Sequence, residues 1–117
     1  MTVKAVIARR RAQRAELLEG ARRFAETLDP SLDVEAVVVF GSVARGDFNL
    51  WSDIDVLVVA GAVPDRFLDR VDALGRPAAR VEPIVWTPSE WRKQLRRRNP
   101  IAIEATTHGV WLVGSPA

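Results

Sequence analysis

Two aspartates stand two positions apart at the start of an apolar run, shortly after a Gly-Ser pair. These residues are Asp53, Asp55, Gly41 and Ser42. Side chains alternate between the two faces of a strand, so the two carboxylates would share one face. Such a pair at the start of a buried strand is costly unless a cation neutralises it. Mg²⁺ suits this place, because proteins usually hold it with one or two carboxylates and substrate phosphates. The Gly-Ser turn would supply backbone N–H groups for those phosphates, with no Cβ at Gly41 to block close approach.

The spacing of the surrounding residues resembles the signature of a known family. The chain has a Gly-Ser turn, a small residue, Arg-Gly, a short polar linker, and then Ser-Asp-x-Asp before an apolar run. The residues that carry this pattern are Gly41, Ser42, Ala44, Arg45, Gly46, Ser52, Asp53 and Asp55. Together they resemble the nucleotidyltransferase superfamily that includes DNA polymerase β, in its minimal (MNT-type) branch. The resemblance is detailed over roughly residues 33–86 and covers the remaining chain only in element order.

A third carboxylate is expected from the next strand, where the resembled family most often has aspartate. Here the candidate is Glu82, inside the apolar segment Arg80 to Trp86. Two-metal nucleotidyl transfer uses ions about 3.5–4 Å apart, one at the attacking oxygen and one at the leaving oxygen. The alternatives for Glu82 are an ion pair with Arg80 or an edge-strand position marked by Pro83. We favour the metal role, since an unpaired acidic residue buried in a strand would be costly. The weaker acidic candidates are Asp47, Asp69 and Asp72.

The resemblance implies an enzyme that transfers AMP from ATP to a hydroxyl group at a two-Mg²⁺ site. The implied catalytic and metal-binding residues are Asp53, Asp55 and Glu82. The implied nucleotide-binding residues are Gly41, Ser42, Arg45 and Ser52. Few residues remain for an acceptor-binding domain, so the acceptor is expected to arrive in trans. Minimal members similar to this chain are commonly antitoxins that adenylylate a HEPN-type ribonuclease, which implies a HEPN-type partner protein.

Two other functions stay open. A nucleotidyltransferase fold with weak or absent catalysis could neutralise a partner by binding alone, and the glutamate at position 82 keeps this alternative alive. A small-molecule nucleotidyltransferase is the other alternative, although such enzymes usually carry an additional helical domain. Nucleic acid is not expected as the direct substrate, because the net charge is only +2. The oligomeric state, including a homo-oligomer, is left open.

Several residues near the motif have competing roles. Arg45 either donates to the triphosphate or forms a salt bridge with Asp47. Phe48 and Trp51 lie in the polar linker, and we expect them to pack the loop down rather than to stack on a base. The other tryptophans are expected in the core or at an interface; they are Trp86, Trp91 and Trp111.

The composition predicts one globular domain spanning residues 1–117. Of the 117 residues, 48% are hydrophobic, which is enough for a packed core, and 27% are charged. The absence of cysteine excludes disulfides and thiolate metal sites. No segment is typical of a signal peptide or a membrane span, so we expect a cytoplasmic location. Basic residues cluster in 9–14 and 92–98; we interpret them as solvated helix faces in preference to docking surfaces for an acidic partner or a polyanion.

The hydrophobic periodicity predicts an α/β domain, a mixed sheet with flanking helices. Helices are predicted over 4–28, 65–74, 87–98 and 101–107, and strands over 35–40, 53–59, 80–86 and 110–113. Breaks are predicted at Asp29-Pro30-Ser31, over 60–64, and at Gly75-Arg76-Pro77. Thr87, Pro88 and Glu90 indicate a capped helix start. The connection between the first two strands is too short for a helical crossover, which favours antiparallel or irregular pairing.

Overall fold

The computed structural model of the chain describes residues 2–75 and 80–116. Its strands are β1 (Val34–Phe40), β2 (Ile54–Ala60), β3 (Val81–Trp86) and β4 (Val110–Val113). They form one sheet in the order β3-β2-β1-β4. β1 pairs antiparallel with both β2 and β4, whereas β2 and β3 are parallel. The predicted α/β class, the mixed sheet and the antiparallel pairing of the first two strands are confirmed.

The helices flank this sheet. They are α1 (Val3–Glu26), α2 (Gly41–Arg45), α3 (Phe67–Ala73), α4 (Pro88–Arg96) and α5 (Pro100–His108). Thr2 caps α1 by accepting a hydrogen bond from the backbone N–H of Ala5. Thr87 and Glu90 form the predicted capping box of α4. Within the described ranges, no helix is both long and apolar enough to cross a membrane.

Each face of the sheet buries its own hydrophobic cluster. Helix α1 covers one face, where Phe24 packs with alternate residues of β2 such as Val56. Helices α4 and α5 cover the other face, where Leu57 of β2 packs with Trp86 and Ala102. The two sets of β2 residues alternate in sequence, as the pleat of a strand requires. Asp55 shares its parity with Leu57, so its side chain belongs to the face covered by α4 and α5.

The three later tryptophans pack together on that second face. The ring centroids of Trp86 and Trp91 are 6.3 Å apart, and those of Trp91 and Trp111 are 5.8 Å apart in an edge-to-face arrangement. Trp86 is buried and the other two are partly buried against the same cluster. These tryptophans are therefore core residues, as predicted.

Helix α3 begins at Phe67, two residues later than predicted. Arg70, the one charged residue that is buried in the described ranges, accounts for the difference. Its guanidinium donates to the backbone oxygens of Pro64 at 2.7 Å and Asp65 at 3.1 Å, and to the Glu90 carboxylate at 2.5 Å. These bonds fix residues 64–65 in a non-helical approach to the helix. They also tie α3 to the start of α4.

Two predicted boundaries involve special backbone conformations. The break after α3 begins at Gly75, whose φ is +81°; Arg76 and Pro77 lie outside the described residues. Helix α4 ends at Arg96, two residues before the predicted end, and Arg98 then adopts the left-handed region with φ 56°. The side chain of Asn99 caps α5 by accepting from the backbone N–H of Ile101.

Candidate active site

Two of the predicted carboxylates lie directly beside each other in the sheet. Asp55 on β2 is the register partner of Glu82 on the parallel strand β3. Residues paired in this way point to the same face of a sheet. Asp53 comes just before β2, where Ile54 donates its backbone N–H to the oxygen of Arg80 at 2.7 Å. The starts of β2 and β3 are therefore tied together. Asp53, Asp55 and Glu82 consequently lie at the same end of these two neighbouring strands.

Glu82 is solvent-exposed, so the argument that an apolar strand would bury it was wrong. β3 is an edge strand, and it accommodates both Pro83 and a solvated carboxylate. Arg80 does not pair with Glu82 among the described residues. Its guanidinium donates instead to the backbone oxygen of Ser52. The proposed ion pair with Arg80 is thereby removed as an explanation for Glu82, while its position beside Asp55 agrees with the metal-site alternative.

The Gly-Ser pair forms the first turn of the short helix α2, not the simple turn that was predicted. Gly41 directly follows β1 and has a φ of +74°. A Cβ placed on Gly41 would lie 2.4 Å from Oδ2 of Asp55, far inside any real contact. Phe40, the residue before it, is the antiparallel register partner of Asp55. The lack of a side chain at Gly41 thus lets the start of α2 lie against the Asp55 carboxylate.

The electrostatics of the site centre on Asp55. Its pKa is raised above the usual aspartate value, first by burial and then by the negative charges of Glu82 and Asp53. The charge of Arg45 opposes this rise, and that of Glu104 on α5 adds to it. The neighbouring carboxylates are thus close enough to disfavour the ionised form of Asp55. A bound cation would relieve this repulsion.

Arg45 is paired with two carboxylates near the site. Its Nε donates to Oδ2 of Asp47 at 3.1 Å, and its Nη1 forms an ion pair with Oε1 of Glu104. These carboxylates raise the pKa of Arg45 further, with the Asp47 hydrogen bond as the largest contribution. The predicted salt bridge to Asp47 is present. Glu104 was not predicted at all, although it is the one acidic residue of α5.

Ser52 organises the linker before Asp53. Its hydroxyl accepts a hydrogen bond from the backbone N–H of Asn49 at 2.9 Å, and its backbone N–H donates to the Asn49 oxygen at 3.2 Å. With the Arg80 contact, three hydrogen bonds hold this residue. These bonds fix the linker directly before Asp53; the nucleotide contact of Ser52 stays a prediction.

Two arginines of α1 hold the far end of α2. Arg14 donates to the backbone oxygens of Val43 at 2.9 Å and Ala44 at 2.8 Å. Arg10 donates to the oxygens of Gly46 at 3.1 Å and Phe48 at 2.5 Å. The interpretation of the 9–14 cluster as a solvated face was wrong for these two residues. Their spacing of four was the available signal, because it places both on one side of a helix.

The linker aromatics divide into a buried and an exposed residue. Phe48 is buried and lies beneath the Arg10 guanidinium, 4.1 Å from carbon to ring centroid. Trp51 is 88% exposed, so the expectation that it would pack the loop down was wrong. Its neighbour Leu50 is also exposed.

A cavity of about 180 Å³ lies beside this linker, lined by Leu17, Phe48 and Arg80 among others. Leu17 and Phe48 belong to the α1 face, so the cavity is not on the face that carries the carboxylates.

The donor set fits a hard cation. Asp53, Asp55 and Glu82 offer only carboxylate oxygens, which are the ligands that Mg²⁺ prefers. In residues 2–75 and 80–116, no three acidic or histidine side chains already converge into a metal cage. Mg²⁺ is usually bound by one or two carboxylates, waters and substrate phosphates rather than by an all-protein cage. The open arrangement is therefore compatible with a metal that binds together with its substrate.

A sequence model of the family described as "Nucleotidyltransferase domain" matches residues 18–104, which is well over half of the chain. The chain belongs to this family. The match includes β1, α2, β2 and β3, and with them all seven predicted site residues. Glu104, which pairs with Arg45, is its last residue. Nucleotidyltransferases use nucleoside triphosphates as substrates, and the matched range contains both the start of α2 and the carboxylates at the starts of β2 and β3.

Two known proteins are similar to this chain. "Putative protein adenylyltransferase MJ1305" of Methanocaldococcus jannaschii is 31% identical over 77 residues, which cover 59% of this chain and 51% of that protein. The chain thus spans about half the length of this curated relative. The crystal structure of a "putative nucleotidyltransferase" from Sulfolobus solfataricus superposes with a TM-score of 0.65 at 26% identity. That match covers 87% of this chain and 84% of the other.

Proposed function

We propose that this chain catalyses the Mg²⁺-dependent transfer of AMP from ATP to a hydroxyl group of a partner protein. The observation that carries the proposal is the contact between two elements. The start of α2 lies against Asp55 at Gly41, and Asp55 in turn lies beside Glu82. A triphosphate at α2 would therefore lie next to the carboxylates that could share a cation with it.

Each residue of the site has a proposed part in this transfer. Asp53 and Asp55 hold the cation that is shared with the triphosphate, and Gly41 and Ser42 receive the phosphates. Arg45 contributes a charge-assisted contact to them. Glu82 faces the acceptor. Mg²⁺, when bound, would stabilise the charge on the phosphates and lower the pKa of the attacking hydroxyl.

The proposed reaction is a single displacement. The acceptor oxygen forms a bond to the α-phosphorus of ATP, and the bond from that phosphorus to the bridging oxygen breaks. Pyrophosphate leaves with the electron pair, and the hydroxyl proton passes to water. Asp53, Asp55 and Glu82 accelerate this step only if they stabilise the developing charge more strongly in the transition state than in the ground state.

Protein as the acceptor class is supported by the name of the Methanocaldococcus relative, which describes a protein adenylyltransferase. The sequence resemblance to MNT-type antitoxins further suggests a HEPN-type toxin as the partner, with both proteins in the cytoplasm. Under this proposal, adenylylation of the toxin neutralises it. The alternative is a domain that neutralises its partner by binding alone.

The test is to incubate the protein with labelled ATP, Mg²⁺ and the protein encoded by the neighbouring gene, and to search for added AMP by mass spectrometry. Wild type should modify the partner. The double variant Asp53→Asn/Asp55→Asn should not, while the matched control Asp69→Asn/Asp72→Asn on the exposed side of α3 should behave as wild type. A tight complex without any added AMP would support the binding-only alternative.

Glu82 separates binding from transfer. Glu82→Gln should leave ATP affinity nearly unchanged and reduce transfer by several orders of magnitude, since its charge is proposed to act on the acceptor side. Glu82→Asp should retain activity, because aspartate is the usual residue of the resembled family. Full modification by Glu82→Gln would exclude a three-carboxylate mechanism.

A further inference from the structure

Glu104 lies on α5, outside every motif that the sequence analysis used. Its Oε1 forms an ion pair with Nη1 of Arg45, which links α5 to the end of α2. Both side chains are largely shielded, with 34% of Arg45 and 30% of Glu104 exposed. The pair therefore bridges two elements at the edge of the candidate site. It is not an ion pair between two freely solvated side chains.

The other carboxylate oxygen of Glu104 is unusual. Oε2 is buried and has no hydrogen-bond partner among the described residues. Buried polar atoms in folded proteins are nearly always paired, and an exception calls for an explanation such as strain, an ordered water, a bound ion or a catalytic role. In the described ranges, the carboxylate of Glu104 has one hydrogen-bond partner, which is Arg45 through Oε1. The placement of Glu104 therefore depends on that of Arg45.

A negative charge at position 104 has two opposite effects on a bound triphosphate. It repels the phosphates, as it already disfavours the ionised form of Asp55. It also holds the Arg45 guanidinium in place at the end of α2, and a cation held in place binds an anion more tightly than a mobile one. Removal of the charge at Glu104 therefore strengthens nucleotide binding if repulsion dominates, and weakens it if the placement of Arg45 dominates.

We propose that Glu104 is a positioning residue for the nucleotide: it fixes the guanidinium of Arg45 where the triphosphate meets it. This inference rests on the proposed function, in which Arg45 contacts the phosphates. Asp47 shares the guanidinium, but its side chain is 62% exposed and is more strongly screened by water. Glu104, with 30% of its side chain exposed, is thus the better shielded of the two carboxylates that hold Arg45.

The experiment compares Glu104→Gln with the matched control Glu19→Gln, which removes the same charge from an exposed ion pair on α1. For each, we would measure the Kd of ATP with Mg²⁺ by calorimetry, and the KM and kcat of AMP transfer. Glu104→Gln should raise Kd and KM about tenfold and leave kcat within about twofold, as expected when one preorganised contact to the substrate is lost. Glu19→Gln should change neither constant.

The same substitution in an Arg45→Met background shows whether Glu104 acts through Arg45. There, Glu104→Gln should change Kd by less than about twofold, because the group that it positions is absent. An equal tenfold effect in that background would overturn the inference, as would an unchanged or lower Kd for Glu104→Gln alone.

Should Glu104→Gln fail to fold, Glu104→Asp keeps the charge but shortens its reach, and it should raise KM with an unchanged melting temperature. Wild type that binds no ATP would overturn the proposed function itself, a result distinct from ATP binding that is insensitive to Glu104.

Discussion

A Cβ on Gly41 would lie 2.4 Å from Oδ2 of Asp55, and the φ of Gly41 is +74°. Gly41→Ala therefore meets two obstacles. The left-handed backbone costs about 1–2 kcal/mol for a residue with a Cβ, and the methyl group must also displace the Asp55 carboxylate. We expect a loss of stability in chemical denaturation together with a loss of AMP transfer.

Gly46 offers the matched control for this prediction. Its φ is +90°, but a Cβ there would meet nothing within 4 Å. Gly46→Ala should therefore lose a similar amount of backbone stability and keep AMP transfer once the variant is folded. Equal losses of transfer in the two variants, measured well below their melting temperatures, would show that the close approach to Asp55 does not matter for activity.

The raised pKa of Asp55 predicts a pH-dependent effect on stability. For an acid whose pKa is higher in the folded state, the folded state binds more protons, so stability falls as pH rises through that range. This cost is absent below the unfolded pKa and complete above the folded one. Asp55→Asn should thus raise the free energy of unfolding at neutral pH, and the gain should vanish as the pH falls below the ordinary aspartate value. Urea denaturation at several pH values measures it; a gain that persists in acid would point to a cause other than charge.

At the level of elements, α1 supports α2 through side chains. Arg14 donates two hydrogen bonds to backbone oxygens near the end of α2, and hydrogen bonds to charged groups contribute about 1.5–3 kcal/mol. Arg14→Met should therefore lower the free energy of unfolding by about 2 kcal/mol and reduce AMP transfer, because α2 loses its support. Arg11→Met is the control, since Arg11 is exposed and such surface changes usually stay within about 0.5 kcal/mol. Equal stabilities would show that the two carbonyl groups find water instead.

The element pattern was predictable because hydrophobic periodicity is a local property. The strands and most helices lie within a few residues of their predicted bounds, and the capping box of α4 could be read directly from Thr87 and Glu90. The late start of α3 was not predictable, because it depends on hydrogen bonds from the buried Arg70. Helix α2 was missed for a similar reason: five residues are too few for a periodic signal.

The site was predictable only where a motif carried it. The sequence predicted the two strands and named Asp55 and Glu82 as ligands of one site, whereas the parallel pairing that places them side by side comes from the structure. Glu104 and Arg14 reach the site from helices far away in sequence, and no local pattern states which helix packs against α2. The exposure of Trp51 was missed because an aromatic residue in a loop gives no local sign of whether a core lies beneath it.

At the scale of the whole molecule, the carboxylates and the basic helix α4 lie on the same side of the sheet. Five of the seven residues 92–98 are cationic and all five are exposed: Arg92, Lys93, Arg96, Arg97 and Arg98. None of them forms an ion pair within the part of the chain that the structure describes. This exposure agrees with the predicted solvated helix face; docking of an acidic partner protein is the alternative, and association rates can test it.

Under the docking alternative, neutralising this surface should slow association with the proposed partner without affecting ATP binding. Exposed charges at the rim of an interface act mainly on the association rate, and salt screens them over about 10 Å at 0.1 M. The triple variant Arg96→Gln/Arg97→Gln/Arg98→Gln should associate with the neighbouring gene's protein about tenfold more slowly at low salt, and this difference should shrink as salt is added. Arg22→Gln/Arg23→Gln, which removes exposed charges from α1 on the opposite face, serves as the control. Association rates measured by stopped flow that are equal for wild type and both variants would instead make residues 92–98 a solvated helix face, because a steering surface must lose its salt dependence when its charge is removed.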